Sequence, residues 1–250
     1  MTLFTASVSA RRKQTDANMN EYIADQYPEL ALNQIDSVFG FAEHTMLYGG
    51  KLWRNEEVSQ RDLTWMYDNN IGFRIPLTNV RTTYEDYQNN IEFIRKYHRP
   101  GNSIICVQDW LADAIKNDFP DYSVEASVIK AVSTMEELDD AFKHFDTVVP
   151  LAEAFNENFE RLDSIKEKYR IRLFLQVGCA LHCPSRICYT AFSKFNRDEK
   201  TPLMCSAKLD ERAGKNPVVT QFDINEYISL GFTKFKAHKP EVIQANALVP

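Results

Sequence analysis

The sequence predicts an α/β fold, a TIM-like β/α barrel that is incomplete or distorted in one part. Short runs that are apolar throughout alternate with amphipathic stretches along most of the 250 residues. Strands of parallel sheets have this pattern because helices cover them. Seven such runs and a weaker eighth fit an eight-stranded barrel better than an open sheet, and single barrels have about this length.

The strand candidates are short runs separated by polar or helical segments. They are Ile35–Phe41, Ile71–Leu77, Ser103–Val107, Ser123–Val128, Thr147–Leu151, Ile171–Val177 and Phe232–Lys236, with the weaker eighth between Thr201 and Gln221.

Helices are predicted between the strands from apolar spacing and capping residues. Tyr84, Tyr87, Ile91 and Ile94 form one stripe of a helix over 84–97. Ser133 and Glu136 have the spacing of a capping box at the start of another helix. Gly231 follows a helical pattern, where glycine commonly ends a helix.

We interpret residues 1–250 as one domain. Residues 1 to about 30 are expected to be an N-terminal extension that includes a solvated basic run, Arg11-Arg12-Lys13, and 35–239 the barrel. The polar segment Asn196–Pro217 is expected to be a loop or a degenerate β/α unit, which is where the barrel would be incomplete.

Charge and hydropathy exclude several classes of protein. The chain has 29 basic and 35 acidic residues, a net charge of −6, and no basic stripe, so there is no strong nucleic-acid signature. No apolar run approaches the roughly 20 residues needed to span a bilayer. The N-terminal charges follow the apolar residues, the reverse of a signal peptide, so a cytoplasmic location without membrane association is expected. Neither of the common glycine-rich phosphate-binding motifs is present.

Four of the five cysteines lie close together in sequence, at positions 179, 183, 188 and 205. The candidate strand before them ends at Val177, and Pro184 is suited to the first position of a helix. Cys183 would then cap that helix and Cys179 would lie in the preceding loop, where the helix N-terminus favours a thiolate. Cys106 lies in an apolar strand and is expected to be buried and inert.

The spacing of the cysteines, C-x3-C-x4-C-x16-C, matches neither the paired cysteines of zinc ribbons nor the bacterial ferredoxin run. The residues alone leave three interpretations open: metal or cluster ligands, inert buried thiols, or a catalytic thiol. A cysteine nucleophile normally needs a histidine base, and the adjacent His182 is expected to point elsewhere.

Cys179, Cys183, Pro184 and Arg186 form a C-x3-C-P-x-R motif after a strand. This motif resembles the collagenase-like peptidase family (peptidase family U-thirty-two). The segment Glu226–Lys236 is similar to the helix, glycine and strand that lead to that family's K-I-E-G-R signature. This chain has Lys236-Ala-His-Lys239 there and lacks the glycine and arginine.

The resemblance implies a TIM-like barrel and a peptidase-like or hydroxylase-like activity. Several members of the family are similar to iron–sulfur proteins that take part in hydroxylating RNA bases or a quinone precursor. By this analogy Cys179, Cys183, Cys188 and Cys205 would hold a 4Fe-4S cluster, with zinc as the alternative.

Polar residues at the carboxyl ends of the strands are expected at the barrel mouth, where such barrels carry their active sites. Glu153 and Asp109 are candidate acid/base groups, and Lys236 is a candidate anion-binding or Schiff-base group. Both carboxylates also suit helix N-termini, which is the structural alternative. Other candidates at strand ends are Glu43, His44, Asn79, Gln108, Glu125 and His238.

Two functions from different classes follow. The first is a metal- or cluster-dependent enzyme that acts on a small-molecule or macromolecular substrate at the mouth. The second is a non-catalytic barrel that binds a ligand or partner and has structural cysteines.

Overall fold

Eight parallel strands surround the centre of the protein. The computed structural model describes residues 3–11, 13–178, 181, 183, 186–202 and 220–238. The strands are β1 Thr5–Ser9, β2 Ile35–Phe39, β3 Gly72–Leu77, β4 Ser103–Cys106, β5 Ser123–Ala126, β6 Thr147–Val148, β7 Leu173–Phe174 and β10 Lys234–Ala237. They lie in the order β6-β5-β4-β3-β2-β1-β10-β7.

The two edges of this sheet meet at one short seam. Val148 in β6 forms a parallel bridge with Ile171, just before β7. The N–H of Arg172 donates to the carbonyl of Val148 at 3.0 Å. The sheet therefore curls into a TIM-like barrel with a narrow last seam, which confirms the predicted fold class.

The first strand corrects the expected N-terminal extension. Thr5–Ser9 pairs with β2 on one side and β10 on the other, so it belongs to the barrel wall. The sequence Thr-Ala-Ser-Val-Ser alternates small polar and apolar residues, so a search for wholly apolar runs misses it. The basic run is not a solvated tail either, because Lys13 is buried 2.8 Å from the Asp62 carboxylate.

The seventh predicted strand divides into two pieces. Leu173–Phe174 pairs with β10, whereas β8, Gln176–Val177, pairs antiparallel with β9, Thr220–Gln221. Leu175 lies at the division and bonds both ways, accepting from Phe222 N–H and donating to the Lys236 carbonyl, each at 3.0 Å. The weaker eighth strand falls mostly on residues 203–219, outside the described residues.

Helices cover the outer face of the sheet. Within the described residues they are α1 Met19–Gln26, α2 Gln60–Asp68, α3 Tyr84–Asn89, α4 Ile91–Lys96, α5 Asp109–Asp118, α6 Met135–His144, α7 Ala152–Phe155, α8 Phe159–Ser164, α9 Cys188–Phe195 and α10 Ile224–Ser229, with short 3-10 turns at Leu32–Gln34, Val128–Lys130 and Lys168–Arg170. None of these helices is long and apolar enough to cross a membrane.

Three helix predictions can be compared with these bounds. The helix expected over 84–97 is two helices that meet at Asn90. The capping box of α6 lies one residue later than expected and pairs Thr134 with Glu137. Gly231, with φ of +93°, follows the end of α10 as predicted.

Alternation along the strands separates an apolar outer core from a polar interior. Phe73, Ile75 and Val124 belong to the core cluster outside the sheet. Arg74 and Glu125 have the opposite parity in the same strands and face the barrel interior. The barrel interior therefore contains buried charged side chains, Arg74 and Glu125.

Candidate functional site

A cavity of about 1010 Å³, counting the part open to solvent, lies at the carboxyl ends of the barrel strands. Strand ends and the loops that follow them line it, so it occupies the position where β/α barrels carry active sites. Much of the lining is apolar, from Phe39, Phe41, Pro76, Ile105, Val128, Ile129, Leu151, Phe174, Val177 and Tyr189.

Below the cavity, one buried carboxylate contacts three cations. Glu125 is 1% exposed and forms ion pairs with Arg74, with Arg172 at 3.1 Å and with Lys236 at 3.6 Å. Burial alone raises the pKa of Glu125, but the charges of Arg74, Lys236 and Arg172 hold it below its ordinary value. Glu125 is therefore an anion, and its charge organises the barrel interior.

A second carboxylate completes this cluster from β2. Asp36 contacts Arg172, with Oδ2 at 2.9 Å from Nη2. The register of β1 and β2 shifts by one residue beside Asp36. Burial raises the pKa of Asp36, but the charges of Arg172 and Arg74 outweigh burial and hold it at about 2.

Lys236 connects the charged interior to the cavity. It faces inward from β10, lines the cavity, and its side chain is 9% exposed. Burial lowers the pKa of the Lys236 amine from 10.5 to about 8, an effect that Glu125 opposes and Arg74 and Arg172 reinforce. An amine in this state can bind an anion when protonated or act as a nucleophile when neutral.

His238 lies two residues after Lys236 and also lines the cavity. Its Nδ1 is buried with no hydrogen-bond partner among the described residues. Burial lowers the pKa of His238 to about 3, and the charges of Lys236 and Arg11 add to this. The imidazole is therefore neutral, with one ring nitrogen as a hydrogen-bond donor and the other as an acceptor.

Charged side chains form the rim of the cavity. Arg186 forms an ion pair with Glu153, and Lys51 pairs with Glu57 at 2.5 Å. Arg11 also lines the cavity, since it follows the end of β1. The described lining thus presents cationic donors beside apolar walls.

Of the three residues proposed as catalytic, the structure brings two to the cavity. Lys236 and Glu153 line it, whereas Asp109 is not among the described lining residues. Asp109 is the first residue of α5 and pairs with Lys130 at 2.6 Å. Lys236 and Glu153 therefore share the cavity, whereas the convergence of Asp109 with them stays a prediction and its observed position suits the helix N-terminus.

The cysteine segment borders the same cavity through Arg186 and Tyr189. Cys183 Sγ accepts a hydrogen bond from the backbone N–H of Arg186 at 3.3 Å. The helix begins at Cys188, so Cys183 does not cap it and Cys188 is its first residue rather than its fifth. A turn with positive φ at Arg186 separates the motif from the helix.

Cys179 and Cys205 lie outside the described residues. Among the residues that the structure describes, no group of three or more His, Cys, Asp or Glu side chains could hold a metal ion. Cys106 is fully buried, as predicted, and burial raises the pKa of its thiol.

The arginines of the interior and the cations of the rim were not among the predicted site residues. Arg74 and Arg172 each interrupt an otherwise apolar strand run, which is a signal for a charge that faces a barrel interior. Arg11 could not be assigned to the mouth because β1 was not recognised. Lys51 has no local signal, since it lies in a long loop.

The fold and the mouth cavity together define a β/α-barrel protein with the fold of the U32 peptidases. A solved structure, that of the U32 peptidase Mk0906, matches with a TM-score of 0.65 and 16% identity, over 96% of this chain and 94% of the other. At this identity the likeness establishes a shared fold. No family model and no curated protein matches the sequence.

Proposed function

We propose that the protein is an enzyme whose active site is the mouth cavity and whose substrate is a small organic anion. The observation that carries this proposal is the position of Lys236, a buried amine that opens onto an otherwise largely apolar cavity. Burying an amine costs free energy, so a buried lysine at the mouth indicates a chemical use.

The charges of the lining support an anionic substrate. Arg11, Lys51, Arg186 and Lys236 face the cavity, against a single carboxylate, Glu153, among the described lining residues. Glu57 and Glu125 offset two of these cations from behind the lining. A carboxylate, phosphate or sulfonate would therefore meet donors, and its organic part would contact the apolar wall.

Binding of 8-anilinonaphthalene-1-sulfonate, an aromatic anion, tests the site. Tyr189→Ala removes an aromatic ring from the cavity and should weaken binding by about three- to tenfold, since ring contacts contribute about 0.5–1.5 kcal/mol. The matched control Tyr169→Ala, which removes an exposed ring away from the cavity, should leave the affinity unchanged. Equal affinities in the two variants would place the dye elsewhere and refute the mouth site.

A second experiment separates an enzyme from a non-catalytic binding barrel. Small anions that displace the dye are incubated with the protein and analysed by mass spectrometry. An enzyme returns at least one of them chemically changed, at a rate that Lys236→Met abolishes. Return of every displacing compound unchanged supports the binding barrel.

We further propose that Cys179, Cys183, Cys188 and Cys205 hold a 4Fe-4S cluster beside this cavity, with zinc as the alternative. Four thiols are the donor set that such clusters use, and backbone N–H groups commonly donate to their sulfurs, as Arg186 does to Cys183. A cluster would supply one-electron chemistry next to the substrate. It would also explain why the cysteine segment borders the mouth.

Metal content tests the cluster. Protein purified without oxygen should contain about four iron and four sulfide per chain and absorb visible light. Cys183→Ser should lose both, whereas Cys106→Ser should keep them because Cys106 lies in the outer core. Stoichiometric zinc would favour a structural site, and absence of metal after anaerobic reconstitution with iron and sulfide would refute the ligand set.

A further inference from the structure

We propose that Lys236 forms an imine with an aldehyde or ketone substrate that also carries an anionic group. The carboxyl end of β10 brings an amine and an imidazole to the same cavity, with Lys236 inside the strand and His238 just after it. The His238 ring packs against Phe174, another residue of the cavity lining, with 5.5 Å between the ring centroids. This inference rests on the proposed function, since it assumes that the mouth is the substrate site.

The charged groups around Lys236 sum to zero when the amine is neutral, because two arginines face two carboxylates. Arg74 and Arg172 contact the two carboxylates of the interior, Glu125 and Asp36. Lys236 is the third cation on Glu125, and its 3.6 Å separation is longer than a hydrogen bond. The barrel therefore gains little from a protonated amine at this position, and the amine can react in its neutral form.

The titration of the amine agrees with this geometry. At pH 7 a pKa of about 8, instead of 10.5, raises the neutral fraction of the amine by roughly two orders of magnitude. The charged or titratable groups that act on Lys236 are Glu125, Arg74, Arg172 and His238. Nζ also lies 4.6 Å from the centre of the Phe39 ring, which covers one side of the amine.

The reaction requires no partner beyond the substrate. The nitrogen lone pair of neutral Lys236 attacks the carbonyl carbon, and the π electrons move to oxygen, which takes a proton. Nitrogen gives up both of its protons during the reaction, oxygen gains two and leaves as water, and a C=N bond forms, so the atoms and protons balance. His238 is neutral and its Nδ1 has no hydrogen-bond partner among the described residues. The ring can therefore relay a proton from the nitrogen to the departing hydroxyl by accepting at one ring atom as it donates from the other.

The cavity also indicates which carbonyl compounds fit. The apolar wall from Phe39, Pro76 and Phe174 suits a flat organic body. The cations of the rim suit a carboxylate or phosphate at its other end. An aromatic aldehyde phosphate, pyridoxal 5′-phosphate, has both features and is used here as a probe.

Reductive trapping tests the imine. The whole protein is mixed with pyridoxal 5′-phosphate and borohydride, and labelled lysines are identified by peptide mass spectrometry. Lys236 should be labelled at least tenfold faster than exposed Lys166 at pH 8. Its rate should rise with pH and level off near 8, whereas exposed lysines continue to react faster at higher pH. Equal or slower labelling of Lys236 would overturn the proposal.

Pyridoxine 5′-phosphate, an alcohol that cannot form an imine, separates the two proposals. If it binds at the mouth while Lys236 is not trapped by the aldehyde, the imine is refuted and the anion site stands. If neither compound binds, this test counts against both proposals.

Single substitutions test the roles of Lys236 and His238. Lys236→Met should abolish the adduct, and Lys166→Met, the matched control, should retain it. His238→Gln should slow adduct formation about tenfold with unchanged affinity for pyridoxine 5′-phosphate. An unchanged rate would refute the role of His238. If Lys236→Met fails to fold, peptide mass spectrometry of the labelled wild-type protein still identifies the lysine that reacts.

Discussion

Charged residues inside the barrel form a cluster of buried ion pairs. Glu125 and Asp36 are held as anions by Arg74 and Arg172. Three of these residues come from different strands, and Arg172 lies just before a fourth, β7. Breaking a buried ion pair leaves an uncompensated charge and typically costs about 3–5 kcal/mol. The cluster therefore ties strands together and fixes where Lys236 lies.

This arrangement predicts a specific loss of stability in acid. Asp36 has its pKa lowered from 3.8 to about 2, so its carboxylate stabilises the fold above pH 4. That contribution, about 2 kcal/mol, should be lost as the pH falls from about 4 to about 2. Urea unfolding across this range measures it.

Asp36→Asn should lower the free energy of unfolding at pH 7 and flatten its dependence on pH between 4 and 2. Asp139→Asn, on an exposed face of α6, is the control and should keep the wild-type slope. A wild-type slope in Asp36→Asn would contradict the role assigned to Arg172.

At the level of elements, apolar runs located the strands well and their limits poorly. The runs predicted seven of the eight barrel strands within a few residues, because helices cover these strands and both faces are largely buried. The run over 171–177 was read as one strand, since nothing in its composition marks the change of partner at Leu175. Capping residues were also displaced, because serine, threonine and glutamate occur side by side at 133–137.

The start of α6 allows the two capping schemes to be compared directly. Glu137 accepts hydrogen bonds from the N–H groups of Ser133 at 2.7 Å and Thr134 at 3.1 Å, whereas the sequence pattern favoured Glu136. Both glutamates lie in the first turn, so both interact with the helix dipole. Glu137→Ala should therefore lower the free energy of unfolding by about 1 kcal/mol more than Glu136→Ala. Equal losses, measured by urea unfolding, would favour the dipole alone.

For the whole molecule, the sequence predicted the barrel and its mouth but not the order of the strands around the barrel. Alternating β and α segments required parallel pairing, and parallel strands bring their carboxyl ends together. Lys236, Glu153 and His238 could therefore be assigned to the mouth. The distribution of charge inside the barrel could not be derived, because it depends on which strand follows which around the ring and on the register between them.

The N-terminal strand gives the most direct test of the closed circuit. Val8 in β1 is fully buried on the outer side of the sheet, and Leu3, just before the strand, is 73% exposed. Val8→Asp would bury an unpaired carboxylate between sheet and helices, so we expect loss of cooperative folding and aggregation. Leu3→Asp should change the free energy of unfolding by less than about 0.5 kcal/mol, since exposed positions tolerate substitution. Thermal unfolding followed by circular dichroism compares the two variants.

If residues 1–30 were an extension outside the barrel, both variants would unfold like the wild type. A large difference between them supports β1 as the strand that joins β2 to β10 in solution, because that pairing buries Val8 and leaves Leu3 exposed.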